Sequence, residues 1–273
     1  MSQWKTCLNT STIKTTPLLE KIRVTAEAGF DAIELWINDI YEYIGRGGEV
    51  RDVETALQDH GLTIPCMIAL RGWGEAVGQE YRIMLDEARR RMELAARFGS
   101  SFIVATPPRE PCDQNQLTDR YGDLLGIGRE VGVQPTFEYI SFFQGAQTLD
   151  TAWQIVQDVG DSDATLIADA FHTWNSHSNP QLLCEIPSNR ISHYHIDDGN
   201  PNIPQYEQTD PDRVMISDGV IDLAGEIEML REIGYNGMIS LELFNQELWQ
   251  QDPMQVAKLG KERLDTILTT STS

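Results

Sequence analysis

Four segments of the chain each carry one side chain of metal-ligating type at the end of an apolar, strand-like run. These are Glu138 within 135–139, Asp169 within 166–172, His195 within 193–198 and Glu242 within 239–243. Phe137 and Tyr139 flank Glu138, Tyr194 and Ile196 flank His195, and Leu241 and Leu243 flank Glu242. Side chains alternate faces along a strand, so each polar residue points away from its apolar neighbours. Unpaired charge is not tolerated in a closed core, and the arrangement makes sense if the four residues converge on something. Three carboxylates gathered alone would repel one another, and a cation resolves that repulsion. With one imidazole they form a hard, oxygen-rich donor set suited to one divalent ion such as Mn²⁺, Mg²⁺, Co²⁺ or Zn²⁺. The chemistry such a set offers is removal of a proton next to a carbonyl, with Lewis-acid help and a carboxylate base. Returning the proton to the neighbouring carbon isomerises, returning it to the other face epimerises, and losing a β-hydroxyl dehydrates. The four residues leave these three outcomes open.

The elements that must position them alternate between strand-like and helix-like patterns along the whole sequence, the mark of a parallel α/β fold. Strands are expected over 5–9, 32–36, 63–69, 101–105, 133–139, 165–169, 191–196 and 237–244. Eight is the count of a (β/α)8 TIM barrel, and nothing in the composition divides residues 1–273 into more than a single domain. Helical periodicity links Met84, Ala88, Met92 and Ala95, then Leu223, Ile227 and Leu230, then Val256, Leu259, Leu264 and Ile267. A helix–Gly–strand turn recurs at Gly29, Gly61, Gly99 and Gly234. In a barrel the C-terminal strand ends share one mouth, which also places Glu34 there. The long stretch 197–221, rich in Pro, Asn, Asp and Gly, reads as a lid or binding loop on that face. Trp73, in the loop after the third strand, is expected to wall the pocket, with Trp36 and Trp174 as further candidates.

A net charge of −21 disfavours nucleic acid and anionic membrane as partners. No apolar run approaches the length of a membrane span. Cys7, Cys66, Cys112 and Cys184 form no close pairs and are expected as reduced thiols of a cytoplasmic protein, Cys7 and Cys66 packed in strands. A polar tail from 269 onward is expected to fray. Tyr41 and Tyr43 either rim the mouth or meet a second copy in a homo-oligomer. The 45–48 segment Gly-Arg-Gly-Gly lacks the lysine and spacing of a phosphate loop.

The runs Tyr194-His195-Ile196-Asp197-Asp198, Asp212-Arg213-Val214, Gly219-Val220-Ile221-Asp222-Leu223, Glu232-Ile233-Gly234 and Ser240-Leu241-Glu242-Leu243-Phe244 carry a resemblance. Together with Asn9, Ile33-Glu34, Phe137-Glu138 and 169–172, they resemble the sugar isomerase/epimerase family of xylose-isomerase-like barrels, and within it the branch acting on inososes. The resemblance covers nearly the whole chain. It implies that Glu138, Asp169, His195 and Glu242 are the metal ligands, and that Glu138 and Glu242 also move protons on opposite faces of the substrate. It further implies that His172 and Arg213 bind substrate, with Glu34 and Trp73 beside them. The expected substrate is a small polyhydroxylated ketone, a keto-inositol or keto sugar of inositol catabolism.

Trp36, His193 and the segment Met215-Ile216-Ser217-Asp218 depart from that pattern. His193 shares the inward face with His195 one layer deeper and is expected as a hydrogen-bonded barrel-interior histidine. A sugar 3-epimerase and an inosose or 3-dehydroshikimate dehydratase remain rivals on the same site. An endonuclease IV-like nuclease would need further histidines at the ends of strands three and four, where the sequence has none. A non-catalytic barrel would be expected to have lost a ligand.

Overall fold

Short parallel strands alternating with helices bury both faces of each strand, which explains their near-continuous apolar character. The computed structural model describes residues 4–270. In its first half β1 (Lys5–Asn9), α1 (Leu18–Glu27), β2 (Ala32–Trp36), α2 (Ile37–Gly45), α3 (Val50–His60), β3 (Cys66–Leu70), α4 (Gly78–Arg97), β4 (Phe102–Ala105) and α5 (Gln114–Val131) follow in turn. The second half runs through β5 (Gln134–Phe137), α6 (Leu149–Asp158), β6 (Thr165–Asp169), α7 (Ala170–Asn175), β7 (Ile191–Ile196), α8 (Leu223–Glu232), β8 (Met238–Leu241) and α9 (Pro253–Thr270). The strands form a closed barrel in chain order, sealed where Cys7 of β1 stands opposite Ser240 of β8. The expected TIM barrel is the fold observed.

Several boundaries move, each for a local reason. β3 starts at Cys66 rather than 63, because Pro65 has no N–H to give the ladder; Thr63 keeps only an isolated bridge to Ala32. β5 and β8 end one residue before Glu138 and Glu242. Both glutamates nonetheless stay tethered to the neighbouring strand: the Glu138 amide donates to the Ala105 carbonyl at 3.2 Å and that of Glu242 to Ile196 at 3.3 Å. Gly61 closes α3 at φ 67°, a left-handed conformation that favours glycine. Leu259 is exposed rather than part of the buried stripe of α9, which runs through Val256, Gly260 and Leu264 at a spacing of four. Thr269 and Thr270 complete α9 instead of fraying, and 271–273 lie outside the described residues. Cys7 and Cys66 are buried in strands as expected, and all four cysteines are free. No helix among the described residues is long and apolar enough to cross a membrane.

The barrel interior is divided. Cys66, Ile68, Val104 and Ile167 fill one side as a small apolar cluster, separate from the main core between strands and helices. Asn9, Glu34, His193, His195 and Ser240 are buried polar residues of β1, β2, β7 and β8. The loop after β7 is held rather than loose. Asp198 pairs with Val214 in an antiparallel bridge. Its carboxylate accepts the amides of Gly199 and Ile221 at 2.9 Å and of Ser217 and Gly219 at 3.1 Å.

Candidate active site

The two ring nitrogens of His195 face different surroundings. Nε2 lies 3.2 Å from Glu34 Oε2, inside the barrel. Nδ1 faces Glu242 Oε2 at 3.3 Å, Asp169 Oδ2 at 3.8 Å and Glu138 Oε1 at 4.0 Å. Nδ1 has no hydrogen-bond partner among the described residues although it is buried. A ring that gives its Nε2 proton to a carboxylate keeps Nδ1 free as a ligand, the usual carboxylate–histidine–metal order. The three strand-end carboxylates thus surround the unsatisfied nitrogen of the fourth residue, and that donor set fits a divalent cation. Glu138 is the most exposed of the four at 8%, so the cluster is approached from its side.

Asp169 divides its carboxylate between two tasks. β6 passes directly into α7, and Oδ1 caps that helix by accepting the His172 amide at 2.7 Å. Oδ2 is left for the cluster. Arg213 enters from the β7–α8 loop, fully buried, with its guanidinium between the rings of Phe171 and Phe244 at 4.9 and 5.4 Å. Its Nη1 donates to Asp169 at 3.2 Å, to Glu242 at 3.1 Å and to Asp197. Nη2 donates to Asp210 at 2.7 Å and to His172 Nε2 at 2.9 Å. That last bond makes Nε2 an acceptor, while Nδ1 faces Ser141, 3.2 Å from its Oγ and 3.4 Å from its amide nitrogen.

Burial and charge act against each other here. Burial, then the charge of Glu242, raises the Glu138 carboxyl above its ordinary value. Burial would lower His195, but Glu242 and Glu34 outweigh it and raise it. Burial would raise Glu34, yet the charge and hydrogen bond of His195 bring it down to about 2. Burial, then Arg213, lowers His172 to about 3, which keeps it neutral.

The model of the xylose isomerase-like TIM barrel family matches residues 22–266. The chain belongs to that family. An inosose isomerase of Bacillus velezensis is 27% identical over 97% of both chains. A 3-dehydroshikimate dehydratase of Pseudomonas aeruginosa is also 27% identical, over 84% of this chain but only 36% of its own length. Among solved structures, an IOLI protein with a bound zinc atom superposes with a TM-score of 0.90 over 98% of this chain and 99% of its own, at 24% identity. At that identity the likeness speaks for the fold alone.

Within this xylose isomerase-like barrel, Glu138, Asp169, His195, Glu242, His172 and Arg213 all meet at the mouth. Glu34 and Trp73 do not line it. Glu34 is fully buried behind His195 and engages Ser240 Oγ as well, so it positions the histidine rather than touching substrate. Trp73 is fully buried against Phe137 and Tyr121, ring centroids 6.2 and 6.5 Å away. Phe137 alternates with inward Glu138, so Trp73 packs outside the barrel under α5. Trp36 does stand at the mouth, edge-on to Phe244 at 5.9 Å, with its Nε1 donating to Asn9 Oδ1 at 3.1 Å. Trp174 instead packs on Phe171 in a groove between α7 and α8. His193 is buried as expected, but neither ring nitrogen has a hydrogen-bond partner among the described residues.

Two residues matter more than their sequence suggested. Asn9 Nδ2 donates to Glu242 Oε1 at 2.7 Å, tying β1 to the carboxylate cluster. Asp197 is fully buried, accepts the Phe171 amide at 2.9 Å and pairs with Arg213. Both stand at or just past a strand end and within the motifs that carry the family resemblance, but neither position told what the side chain would hold.

Proposed function

We propose that this chain is a divalent-metal-dependent isomerase acting on a polyhydroxylated ketone, an inosose or related keto sugar, through an enediolate. The observation that carries this reading is the convergence of Glu138 and Glu242 on the unsatisfied Nδ1 of His195, at 4.0 and 3.3 Å. Glu138, Asp169, His195 and Glu242 would hold the cation. A cation so held supplies Lewis acidity where negative charge develops next to a carbonyl.

The chain's own groups do the rest. Glu138, on the approachable side and with its proton affinity raised, takes or delivers the carbon-bound proton. Glu242, fixed by Asn9 and Arg213, serves the opposite face. Neutral His172 and charged Arg213 hold substrate hydroxyl or carbonyl oxygens, while Trp36 and Phe244 wall the ring. The full-length similarity to inosose isomerases supports a keto-inositol as substrate. The similarity to a dehydratase supports the second reading, in which the same deprotonation ends in loss of a β-hydroxyl.

Incubating the metal-loaded protein with inososes, ketohexoses and 3-dehydroshikimate in D₂O tests both. NMR is expected to show deuterium entering a carbon next to the carbonyl of an inosose and the carbonyl moving. An eliminated hydroxyl selects the second reading. Exchange at wild-type rate in Glu138→Gln or Glu242→Gln would overturn the assignment of the proton carriers.

A further inference from the structure

Beneath the mouth, the barrel interior contains a second set of ligating groups. Glu34, Cys66 and His193 offer a carboxylate oxygen, a thiol sulfur and a ring nitrogen within 4.8 Å of one another, all buried. His193 lies two residues before His195 on β7, on the same inward face but one layer deeper. Its ring rests edge-on to Phe102 at 5.6 Å, and neither nitrogen has a hydrogen-bond partner among the described residues. A buried imidazole with both nitrogens unsatisfied is costly, and something must meet at least one of them.

Its neighbours indicate what. Cys66 Sγ makes only a weak contact, 3.7 Å to the Met67 carbonyl. Glu34 Oε2 is taken by Ser240 and His195, but Oε1 has only the long 3.4 Å contact to His195 Nε2 and keeps lone pairs free. A carboxylate and a thiolate together neutralise a divalent ion, and adding an imidazole gives a borderline donor set rather than the hard set at the mouth.

We propose that the barrel interior holds a second metal site, in which Glu34, Cys66 and His193 bind Zn²⁺ or a similar borderline cation. Binding forms a metal–sulfur bond as the Cys66 thiol proton leaves to solvent, with no change of oxidation state. Glu34 is then shared: one oxygen orients His195, the other holds the lower ion. The lower ion thereby stiffens the carboxylate that fixes the histidine at the mouth. This inference stands apart from the reaction proposed above, because the lower site binds its ion whatever the upper one catalyses.

Co²⁺ titration of the metal-free full chain tests it, in a Cys112→Ser/Cys184→Ser background that removes the less buried thiols. Two equivalents are expected to bind, with thiolate-to-cobalt charge-transfer absorption in the near ultraviolet accompanying one of them; the mouth has no sulfur to produce that band. Cys66→Ala is expected to abolish the band and reduce uptake to one equivalent, and His193→Phe to remove the same equivalent. Uptake of a single equivalent without the band would overturn the proposal, as would a band that survives Cys66→Ala. Should Cys66→Ala not fold, the background protein and His193→Phe decide by the same readings.

Discussion

His195 and Glu34, both fully buried, meet through Nε2 and Oε2 at 3.2 Å, and this contact determines which ring nitrogen reaches the mouth. Removing the charge of Glu34 weakens that hold while leaving the four residues proposed to bind the cation at the mouth in place. In a Cys66→Ala background, which leaves only the mouth site, Glu34→Gln is expected to weaken cation binding by about 10–100-fold, the usual effect of losing such a partner. Competition with a colorimetric chelator measures it; unchanged affinity would return Glu34 to a substrate-contacting role.

Arg213 shares Asp169 and Glu242 with any cation at the mouth, so the two positive charges oppose each other. Arg213→Met is expected to raise KM on the order of tenfold or more, as a charged hydrogen bond to substrate is lost. It should leave cation affinity equal or higher. Kinetics combined with direct metal titration separate the two effects, and a fall in metal affinity as large as the change in KM would show that Arg213 builds the metal site instead.

Trp73 provides a control for the opposite case. Its ring sits against Phe137 and Tyr121 outside the barrel, so it contributes packing. Trp73→Ala is expected to cost about 3–5 kcal/mol of stability. KM of the protein that remains folded should be unchanged. Urea unfolding and steady-state kinetics measure the two quantities.

Glu226 on α8 is buried with its carboxylate accepting from Tyr194 Oη at 2.7 Å. Burial raises its pKa from 4.5 to about 8, the Tyr194 hydrogen bond only partly opposing the rise. Between those values the folded chain keeps a proton that the unfolded chain has lost. Stability therefore falls as pH rises through that window and levels off above it. Glu226→Gln removes the penalty and is expected to be more stable than the parent at the upper end, on the order of a few kcal/mol, with the difference vanishing at the lower end. Denaturant midpoints at both ends check the sign.

The barrel and the convergence of the strand-end residues were legible because both rest on periodicities that a linear sequence preserves. Strand alternation placed Glu138, His195 and Glu242 inward, and helix–Gly turns marked the spacing of the elements. Trp73 and Glu34 were misplaced for different reasons. An aromatic in a βα loop can turn toward the mouth or under the following helix, and only the tertiary packing of Tyr121 and Phe137 decides. Glu34 is inward as its strand requires, but its depth depends on the stagger of β2 against β7 across the barrel, which no local pattern records. Asn9 and Asp197 stood in the family pattern, but their roles were not legible because their partners lie far along the chain: Glu242 is 233 residues from Asn9.

The Asp198 carboxylate gathers amides from both ends of the β7–α8 loop, those of Gly199 on one side and of Ser217, Gly219 and Ile221 on the other, and Gly219 is required there because a Cβ would overlap the carboxylate it binds. The stretch between these anchors can therefore change in sequence while Arg213 is returned to the same place, provided Asp210, which holds its Nη2 at 2.7 Å, is kept. A barrel built this way can diverge in what it accepts without re-evolving how it reacts. Grafting the 200–209 segment from a relative with another substrate, with Asp198, Asp210 and Arg213 left in place, is the economical route to redirecting this enzyme.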